Sequence, residues 1–251
     1  MPSVARERAV STAIRIGTAG WNIPKVNREA FSTEGTALQR YAGVFNCAEI
    51  NSTFYRPHRA STYERWANSV PENFAFSLKI PKEITHVRKL VACEDSLRRF
   101  IDETSALGQK RDMLLIQLPP KLAYERAVAE EFFSTLRAMY VGKIALEPRH
   151  ASWFETGIER WLQAIDVCRV AADPVAVAGG DEPGGSAQFS YFRLHGAPRM
   201  YYSAYGPDRI AELARRLSQT PNAWCIFDNT ASGAATGDAL ALQNKLEQVA
   251  T

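Results

Sequence analysis

Residues 74–81 read FAFSLKIP, in which large apolar side chains alternate with smaller or polar ones. The even-numbered positions carry the large apolar groups, and the odd-numbered face ends in Lys79. Because successive side chains of a β-strand point to opposite faces, this alternation predicts a strand with one strongly apolar face. If the strand belongs to a barrel, that face packs against the surrounding helices, and Lys79 points inward at the carboxyl end.

Seven further segments along the chain have a similar length and apolar content and are also predicted to be strands. The eight predicted strands comprise residues 14–20, 47–51, 74–81, 113–119, 143–150, 168–174, 189–196 and 224–229. Apolar side chains at helical spacing fill the intervals at residues 36–46, 94–107 and 126–139. Eight strand–helix units predict an α/β fold, a single-domain (β/α)8 TIM barrel, with one degenerate crossover at the Gly-rich residues 175–187.

A doubly wound parallel sheet is the alternative fold. It would ordinarily carry the glycine pattern GxGxxG at the turn after the first strand. Residues 17–21 read GTAGW, which lacks that spacing and favours the barrel. Residues 1–12 are largely polar, so we expect a flexible N-terminal tail there and one TIM-barrel domain over residues 13–251.

The composition is that of an ordinary globular protein, since 46% of the 251 residues are apolar and 23% are charged. The formal net charge of +3 is too small to attract nucleic acid or a membrane through bulk charge. No stretch approaches the roughly 18 apolar residues of a membrane span, and the first residues lack the apolar core of a signal peptide. The four cysteines lie far apart with no CxxC pair. We therefore expect a cytoplasmic protein with reduced thiols and no structural zinc.

Applied to the other strands, the same alternation turns polar side chains inward at the carboxyl ends of six strands. These side chains are Glu49, Asn51, Lys79, Gln117, Glu147, Arg149, Asp173, Arg193 and His195. In residues 168–174 the alternation points Val170 outward, and in the last strand it leaves Asp228 and Asn229 undecided. Active sites of (β/α)8 barrels lie at this end. A buried plug of mutually paired charges is the alternative, but burying so many ions without use would cost several kcal/mol each before pairing.

Ordered motifs throughout the chain match those of a known family. They are GTAGW (17–21), EINSTFYRPH (49–58), Trp66 with Pro71 and Phe74, SLKIPKEITH (77–86), LLIQLPP (114–120), LEPRHASW (146–153), the Asp173-Pro174 pair, YFRLHG (191–196) and FDNTASGAA (227–235). With these motifs the chain resembles the DUF72 (YecE-like) family of TIM-barrel proteins from residue 14 onward. The resemblance implies a TIM barrel and leaves the reaction open. Residues 237–239 read GDA where the family usually has Asn-Ala, which weakens any role for the start of the final helix.

The inward set favours an anion site with acid–base chemistry. Arg149 and Arg193 can each bind a phosphate or carboxylate through two N–H groups, and Lys79 adds a point charge. Glu147 and His195 are residue types that move protons in enzymes. The predicted catalytic residues are Glu147, His195, Lys79, Glu49 and Asp173. We therefore expect a hydrolase or an isomerase that acts on a small anionic or phosphorylated substrate.

A second set of residues would hold or orient that substrate. It consists of Arg149, Arg193, Asn51, Gln117, His86, His150, Trp21, Tyr55, Trp153, Tyr205 and Asn229. The aromatic members follow strand ends, where they can stack on a base or a sugar, and Asn229 opens the last helix, whose backbone N–H groups can contact a phosphate. Loop packing is the competing interpretation for the aromatic residues, and loop hydrogen bonding for His86 and His150. For the two arginines it is ion pairing with Glu147 and Asp173.

Two other functions stay open. The barrel is similar in architecture to endonuclease IV, and related barrels bind divalent ions through His, Glu and Asp, so a metal-dependent phosphodiesterase is one of them. The inward cations offset the carboxylates and neither HxH nor HExxH occurs, so we assign no cofactor and keep a divalent metal as the alternative. A non-catalytic nucleic-acid-binding protein is the other, although the net charge of +3 argues against a broad binding surface. No membrane partner is expected, and no sequence feature indicates an oligomeric state.

Overall fold

The computed structural model describes residues 14–250, with side chains through residue 248. The predicted tail at residues 1–12 lies outside the described residues. The strands are β1 (Arg15–Thr18), β2 (Cys47–Ile50), β3 (Ala75–Lys79), β4 (Arg111–Gln117), β5 (Lys143–Glu147), β6 (Val167–Arg169), β7 (Ala171–Asp173), β8 (Gly184–Gly185), β9 (Ser190–Leu194) and β10 (Ala223–Phe227). The helices are α1 (Ala37–Ala42), α2 (Ala60–Asn68), α3 (Glu94–Thr104), α4 (Arg126–Met139), α5 (Thr156–Ala164), α6 (Pro207–Ser218) and α7 (Ala234–Ala250). Shorter helical turns occur at Lys25–Ala30, Ser52–Phe54, Glu83–Val87, Ser105–Lys110 and Ala151–Phe154.

The strands form two sheets. One has the order β1-β10-β9-β7, and the other has the order β2-β3-β4-β5-β6-β8. All pairings are parallel except that of β8, which runs antiparallel to β6 inside the Gly-rich crossover. The prediction of an α/β fold is confirmed, whereas the hydrogen bonds of the described strands form two sheets and not one closed barrel.

The two sheets adjoin at both ends. At one end, Ala19 forms an isolated parallel bridge with Glu49, and the Gly20 N–H donates to the Glu49 carbonyl at 2.8 Å. At the other end, β6 and β7 follow each other directly, and the Val170 N–H between them donates to the Leu146 carbonyl of β5 at 2.9 Å. Side chains from the two sheets can therefore meet across the junctions.

The strands separate two apolar clusters. The larger contains side chains that face helices, such as Phe76 and Leu78 of β3 with Leu97 and Phe100 of α3. The smaller, which we call the inner cluster, consists of Cys47, Ala75, Met113, Leu115, Ala145, Cys168, Val170, Phe189, Tyr191, Trp224 and Ile226. The large and small faces predicted for residues 74–81 thus pack in different clusters. Each fully buried large apolar side chain stabilises the fold by about 1.5–3 kcal/mol.

One strand has the opposite alternation from that predicted. Val170 packs in the inner cluster, Ala172 is the register partner of Arg193, and Asp173 is the register partner of Leu194. Residues 168–173 read CRVAAD, so neither face carries several large apolar side chains that would indicate the helix side. The predictions that Val170 points outward and that Asp173 points inward are therefore wrong.

Local sequence signals explain where the helices begin and which face they bury. α1 begins at a capping box, in which Thr36 Oγ1 accepts from the Gln39 N–H at 3.3 Å and Gln39 Oε1 accepts from the Thr36 N–H at 2.8 Å. In α3, Leu97 and Ile101 are buried four residues apart, as expected for one apolar stripe. No helix among residues 14–250 is long and apolar enough to cross a membrane.

Candidate functional site

Arg193, in β9, is fully buried among three carboxylates from other strand ends. Its Nε and Nη2 atoms donate to Glu49 Oε2 and Oε1 at 3.0 and 2.8 Å, and Nη1 donates to Glu147 Oε2 at 3.1 Å. Nη2 also lies 3.0 Å from Asp228 Oδ2. Because all three guanidinium nitrogens face carboxylate oxygens, Arg193 fixes the positions of these acids and has no nitrogen left for a ligand.

His195 lies beside Arg193, between two of the same carboxylates. Its Nδ1 is 3.1 Å from Asp228 Oδ2, and its Nε2 is 3.0 Å from Glu147 Oε1. Ionised carboxylates only accept hydrogen bonds, so both ring nitrogens must donate and the ring is an imidazolium. We call Glu49, Glu147, Arg193, His195 and Asp228 the central polar cluster.

The pKa values of the cluster agree with this charge assignment. Burial alone would lower the pKa of His195, but Glu147 and the hydrogen bonds to Asp228 and Glu147 outweigh it and raise the pKa. Burial alone would raise the pKa of Glu147, but Arg193 and His195 hold it well below its usual range. The cluster therefore keeps an ionised acid next to a protonated base.

Glu147 has further partners on the side that faces away from Arg193. Gln117 Nε2 donates to Glu147 Oε1 at 3.0 Å, and Arg149 Nη2 donates to the same oxygen at 3.1 Å. Arg149 Nη2 also lies 3.4 Å from the Tyr201 hydroxyl, and the Tyr201 ring stands edge-on to His195 with 5.6 Å between ring centres. Tyr201 adopts a φ of 69°, which is unfavourable for a bulky residue and is typical of positions held by their surroundings.

Tyr191 links the central polar cluster to the apolar inner cluster, of which it is a member. The Tyr191 hydroxyl lies 2.9 Å from Glu49 Oε2 and 3.0 Å from Ser77 Oγ. Its ring stacks on Trp224, with 6.1 Å between ring centres. Glu49 is therefore bound from one side by Arg193 and from the other by Tyr191, which leaves it no side open to a ligand.

Lys79 differs from the two arginines, because it has no carboxylate within ion-pairing distance. Its Nζ atom lies 4.1 Å from the centre of the Phe54 ring, a cation–π contact, and makes no hydrogen bond or ion pair to any described residue. Burial, with Arg193 as the second cause, lowers the pKa of Lys79 to about 8.

His86 lies in the turn that follows β3, against the same Phe54 ring. The ring centres are 5.0 Å apart, and His86 Nδ1 is 2.8 Å from Thr85 Oγ1. Burial lowers the pKa of His86, and the positive charges of Lys79, Lys82 and Arg149 lower it further. These four residues, Lys79, Lys82, His86 and Arg149, form what we call the cationic mouth.

A cavity of about 170 Å³ opens beside the cluster. Glu147, Arg149 and His195 line its polar side, and Phe154 and Met200 are among its apolar walls. Pockets for drug-sized ligands usually measure about 300–1,000 Å³, so this one suits a small molecule. A larger groove of about 580 Å³ lies nearby, between residues 53–57 and 81–103, but no member of the central polar cluster lines it.

Asp173, predicted as a catalytic residue, lies apart from the central polar cluster. Its Oδ2 accepts from Nε of Arg209, in the first turn of α6, at 2.9 Å, and Arg209 Nη2 donates to the same oxygen. The competing interpretation, in which Asp173 pairs with an inward arginine, does not hold, because Asp173 pairs with Arg209 at the rim. The reason is the reversed alternation of β7, which turns Asp173 away from Arg193.

Asn229 and Tyr205 hold the loop that follows β9. Asn229 Nδ2 donates to Asp238 Oδ2 at 2.7 Å and to the Ser203 carbonyl at 2.8 Å. The Tyr205 hydroxyl accepts from the Gly196 N–H at 2.8 Å, and the Tyr205 N–H donates to Asp238. Asp238, in the segment that departs from the family pattern, thus anchors this loop, contrary to the expectation that this part of the final helix has a weakened role.

Several other predicted substrate contacts are engaged in packing. Trp153 is buried and its Nε1 donates to the Leu122 carbonyl at 2.9 Å. Trp21 stands edge-on to Trp66, with 5.0 Å between ring centres. His150 accepts from the Ser152 N–H at 3.2 Å, which caps the turn at Ala151–Phe154. None of these side chains contacts the central polar cluster.

Asn51 and Tyr55 have more open surroundings. Tyr55 is exposed and its ring stands edge-on to Phe54. Asn51 directly follows β2, and its Oδ1 is buried without a hydrogen-bond partner among the described residues. Both stay predicted substrate contacts, and Asn51 has an acceptor that a ligand could satisfy.

Asp228 is the member of the cluster that the sequence left undecided. Trp224 and Ile226 of β10 both belong to the inner cluster, and Asp228 continues that face two residues later. An alternation counted from Trp224 onward would have found it. The alternation that turns Arg193 and His195 inward also turns Tyr191 inward, although Tyr191 is not among the predicted site residues.

No group of three or more His, Cys, Asp or Glu side chains in the described part of the chain is arranged to hold a metal ion. Each cluster carboxylate has at least one oxygen directed at Arg193 or His195, both of which are cationic donors. The donor set therefore does not fit a divalent cation in this arrangement.

A family model described as "Protein of unknown function DUF72" matches residues 15–251. The chain belongs to the DUF72 family. It is 30% identical over 166 residues to the UPF0759 protein YecE of Escherichia coli strain K12, and the match covers 64% of this chain and 59% of that protein. It is 27% identical over 147 residues to the UPF0759 protein YunF of Bacillus subtilis, covering 56% of this chain and 52% of that protein. The chain thus matches between half and two thirds of the length of these relatives.

Solved structures of DUF72 proteins share the fold. One from Thermotoga maritima superposes with a TM-score of 0.75 at 21% identity and covers 93% of this chain and 99% of that one. One from Enterococcus faecalis also gives a TM-score of 0.75, at 20% identity, and covers 94% and 96% of the two chains. The motifs that carried the resemblance to DUF72 also contain the site, since Glu49, Lys79, Glu147, Arg193 and Asp228 each come from a different one.

Proposed function

We propose that this DUF72 protein is an enzyme that transfers protons to and from a small anionic substrate at the carboxyl ends of its parallel strands. The observation that carries the proposal is the buried His195 imidazolium between Glu147 and Asp228, at the wall of a cavity. A protonated ring beside an ionised carboxylate supplies a general acid and a general base in one place. Hydrolysis and isomerisation both use such a pair.

The shape of the sheets supports placing this site in a barrel. We propose that the two sheets are parts of one (β/α)8 barrel, with β6 and β7 as halves of one strand, and that residues 14–250 form a single domain. The bridge between Ala19 and Glu49 and the bond from Val170 to Leu146 support closure at the two junctions. The bonds from Arg193 to Glu49 and Glu147 span both sheets.

The cationic mouth supports an anionic substrate. Lys79, Lys82 and Arg149 lie near enough to His86 to lower its pKa, so positive charges converge there. Arg193, which the sequence predicts to bind the anion, is occupied by three carboxylates. We therefore assign the phosphate or carboxylate of the substrate to Lys79, Lys82 and Arg149.

The alternatives receive less support from the site. A metal-dependent phosphodiesterase would need several carboxylate oxygens that are free of cationic donors, whereas both oxygens of Glu49 and of Glu147 accept from Arg193 or His195. A nucleic-acid-binding role would need a broad basic surface, whereas Arg149 and His195 line a cavity of only about 170 Å³.

A screen for proton transfer tests the proposal. Sugar phosphates and small carboxylates are incubated with the protein in D2O, and NMR detects deuterium incorporation at carbon, isomerisation or release of phosphate. We expect turnover of at least one compound, lowered about a hundredfold or more in Glu147→Gln and in His195→Gln. Glu131→Gln, at an exposed position of α4, is the matched control and should retain turnover. Equal turnover in all variants would contradict the proposal.

A further inference from the structure

Lys79 is a buried cation whose charged atom lacks a carboxylate contact among the described residues, whereas Lys82, which also has no ion pair there, is exposed. The residue is only 5% exposed, yet its Nζ makes no hydrogen bond or ion pair and is not sealed from solvent. Phe54 covers one side of the ammonium group at 4.1 Å. By contrast, Arg149 donates to Glu147, and each nitrogen of Arg193 faces an acid. An amine held in this way is available for reaction at its nitrogen lone pair.

We propose that Lys79 is a nucleophile that forms an imine with the carbonyl group of the substrate. This inference rests on the proposed function and specifies its substrate class as a small anionic aldehyde or ketone. Lysines are activated for such chemistry by removal from water or by a neighbouring cation, and Lys79 has both. Burial and Arg193 lower the pKa of its amine to about 8. At pH 7 about a tenth of this amine is therefore uncharged and nucleophilic, far more than of an ordinary lysine.

The reaction balances with the groups present. The neutral amine nitrogen of Lys79 attacks the carbonyl carbon, a C–N bond forms, and the C=O π electrons move to oxygen. Transfer of a proton from nitrogen to oxygen gives the carbinolamine. The nitrogen lone pair then forms C=N while the C–O bond breaks, and the oxygen leaves as water with a proton from the imidazolium of His195. One carbonyl compound, one amine and one proton thus yield one iminium ion and one water.

The surroundings of Lys79 suit both the intermediate and the product. Ile50 and Leu78 are register partners in β2 and β3, so Asn51 and Lys79 follow at adjacent strand ends. Asn51 Oδ1 is buried without a partner among the described residues and can accept from the carbinolamine hydroxyl. The iminium ion is positive, and the charges of Glu49, Glu147 and Asp228, which act on Lys79 to favour its charged form, would stabilise it.

Reductive trapping tests the inference directly. The intact protein is incubated at pH 7.5 with glyoxylate, an aldehyde that carries a carboxylate, and with cyanoborohydride, which delivers hydride to an iminium carbon. Peptide mass spectrometry then locates lysines that carry a carboxymethyl group. The lowered pKa gives Lys79 an uncharged fraction on the order of a hundredfold larger than that of an ordinary lysine. We expect strongly preferential modification at Lys79, although Lys121 is far more exposed.

Variants make the result specific. Lys79→Arg keeps the charge and Lys79→Met keeps the stem against Phe54, and both should abolish trapping at this position without unfolding the protein. Lys121→Arg is the matched control and should leave modification of Lys79 unchanged. Modification of Lys79 at no more than the level of Lys121, in the folded native protein, would overturn the inference.

A second arm separates this inference from the proposed function. Glyoxylate should raise the melting temperature of the native protein less in Arg149→Met, because the anion loses a contact. If glyoxylate stabilises the native protein but Lys79 is not trapped, the imine is refuted and the anion site stands. If Lys79 is trapped equally well in the native protein and in His195→Gln, the imine stands and the acid–base role of His195 is refuted.

Discussion

The central polar cluster and the cationic mouth lie side by side, yet their charges have opposite surroundings. In the cluster, every guanidinium nitrogen of Arg193 faces a carboxylate, and His195 lies between two of the same acids. At the mouth, Lys79 has no acid in contact and His86 lies among cations, although Arg149 at its edge pairs with Glu147 of the cluster. Removing one partner from a buried, paired set leaves charges stranded, whereas removing a buried charge that lacks a partner relieves a cost. Removing the charge of Arg193 and removing that of Lys79 should therefore change the unfolding free energy in opposite directions.

Arg193→Met should have the largest effect. It leaves Glu49 buried without its cationic partner, while Glu147 keeps Arg149 and His195 and Asp228 keeps His195. Breaking a buried ion pair in this way typically costs about 3–5 kcal/mol of unfolding free energy. Urea unfolding measures the loss.

Arg98→Met provides the control, because Arg98 forms an exposed ion pair with Glu94 on α3. Its unfolding free energy should change by no more than about 0.5 kcal/mol. An Arg193→Met variant as stable as Arg98→Met would contradict the assignment of Arg193 as the residue that holds the acids together.

Asp228→Asn should have an intermediate effect, about 1–3 kcal/mol, because it keeps the shape but removes a charge from Arg193 and His195. Since Asp228 helps to raise the pKa of His195, the variant should lower that pKa, which histidine NMR titration can measure.

The sign of the pH dependence follows from these shifts. A raised His195 pKa gives stability that is complete below the unfolded pKa of about 6.5 and is lost as pH rises through the folded pKa. A lowered Asp228 pKa gives stability that is present above its unfolded value and is lost in acid. The difference in unfolding free energy between the native protein and Asp228→Asn should therefore be largest in mildly acidic solution. It should become smaller at higher pH, where His195 loses its proton, and at lower pH, where Asp228 gains one. A difference independent of pH, with an unchanged histidine titration, would argue that His195 is not held by Asp228.

The sequence predicted those parts of the site in which side-chain size distinguishes the two faces of a strand. Glu147 and Arg193 were found because Leu146 and Phe192 beside them are large and face helices. Asp173 was misplaced because residues 168–173 are small on both faces. The alternation also could not predict that Arg193 pairs with Glu49, which lies 144 residues away in the chain, because that pairing depends on how the two sheets adjoin. The role of Asp238 depends on the path of the loop after β9, which no strand pattern describes.

Lys79→Met should have the smallest effect on stability, and in the favourable direction. The folded protein holds the Lys79 ammonium with no acid in contact, and burial with Arg193 lowers its pKa to about 8. Between that value and the ordinary lysine pKa of about 10.4 the unfolded chain binds more protons, so the native protein gains stability as pH rises through this range.

Methionine carries no charge and keeps a flexible apolar stem against Phe54. Lys79→Met should thus be more stable than the native protein by on the order of 1 kcal/mol at pH 7, and the advantage should disappear near pH 10. Urea unfolding of both proteins at pH 7 and pH 10 gives the difference in their unfolding free energies. Other groups that titrate in this range contribute equally to both proteins, so their contributions cancel in that difference. A variant that is less stable at pH 7 by as much as Asp228→Asn would mean that Lys79 is paired like the arginines, and the contrast between mouth and cluster would fail.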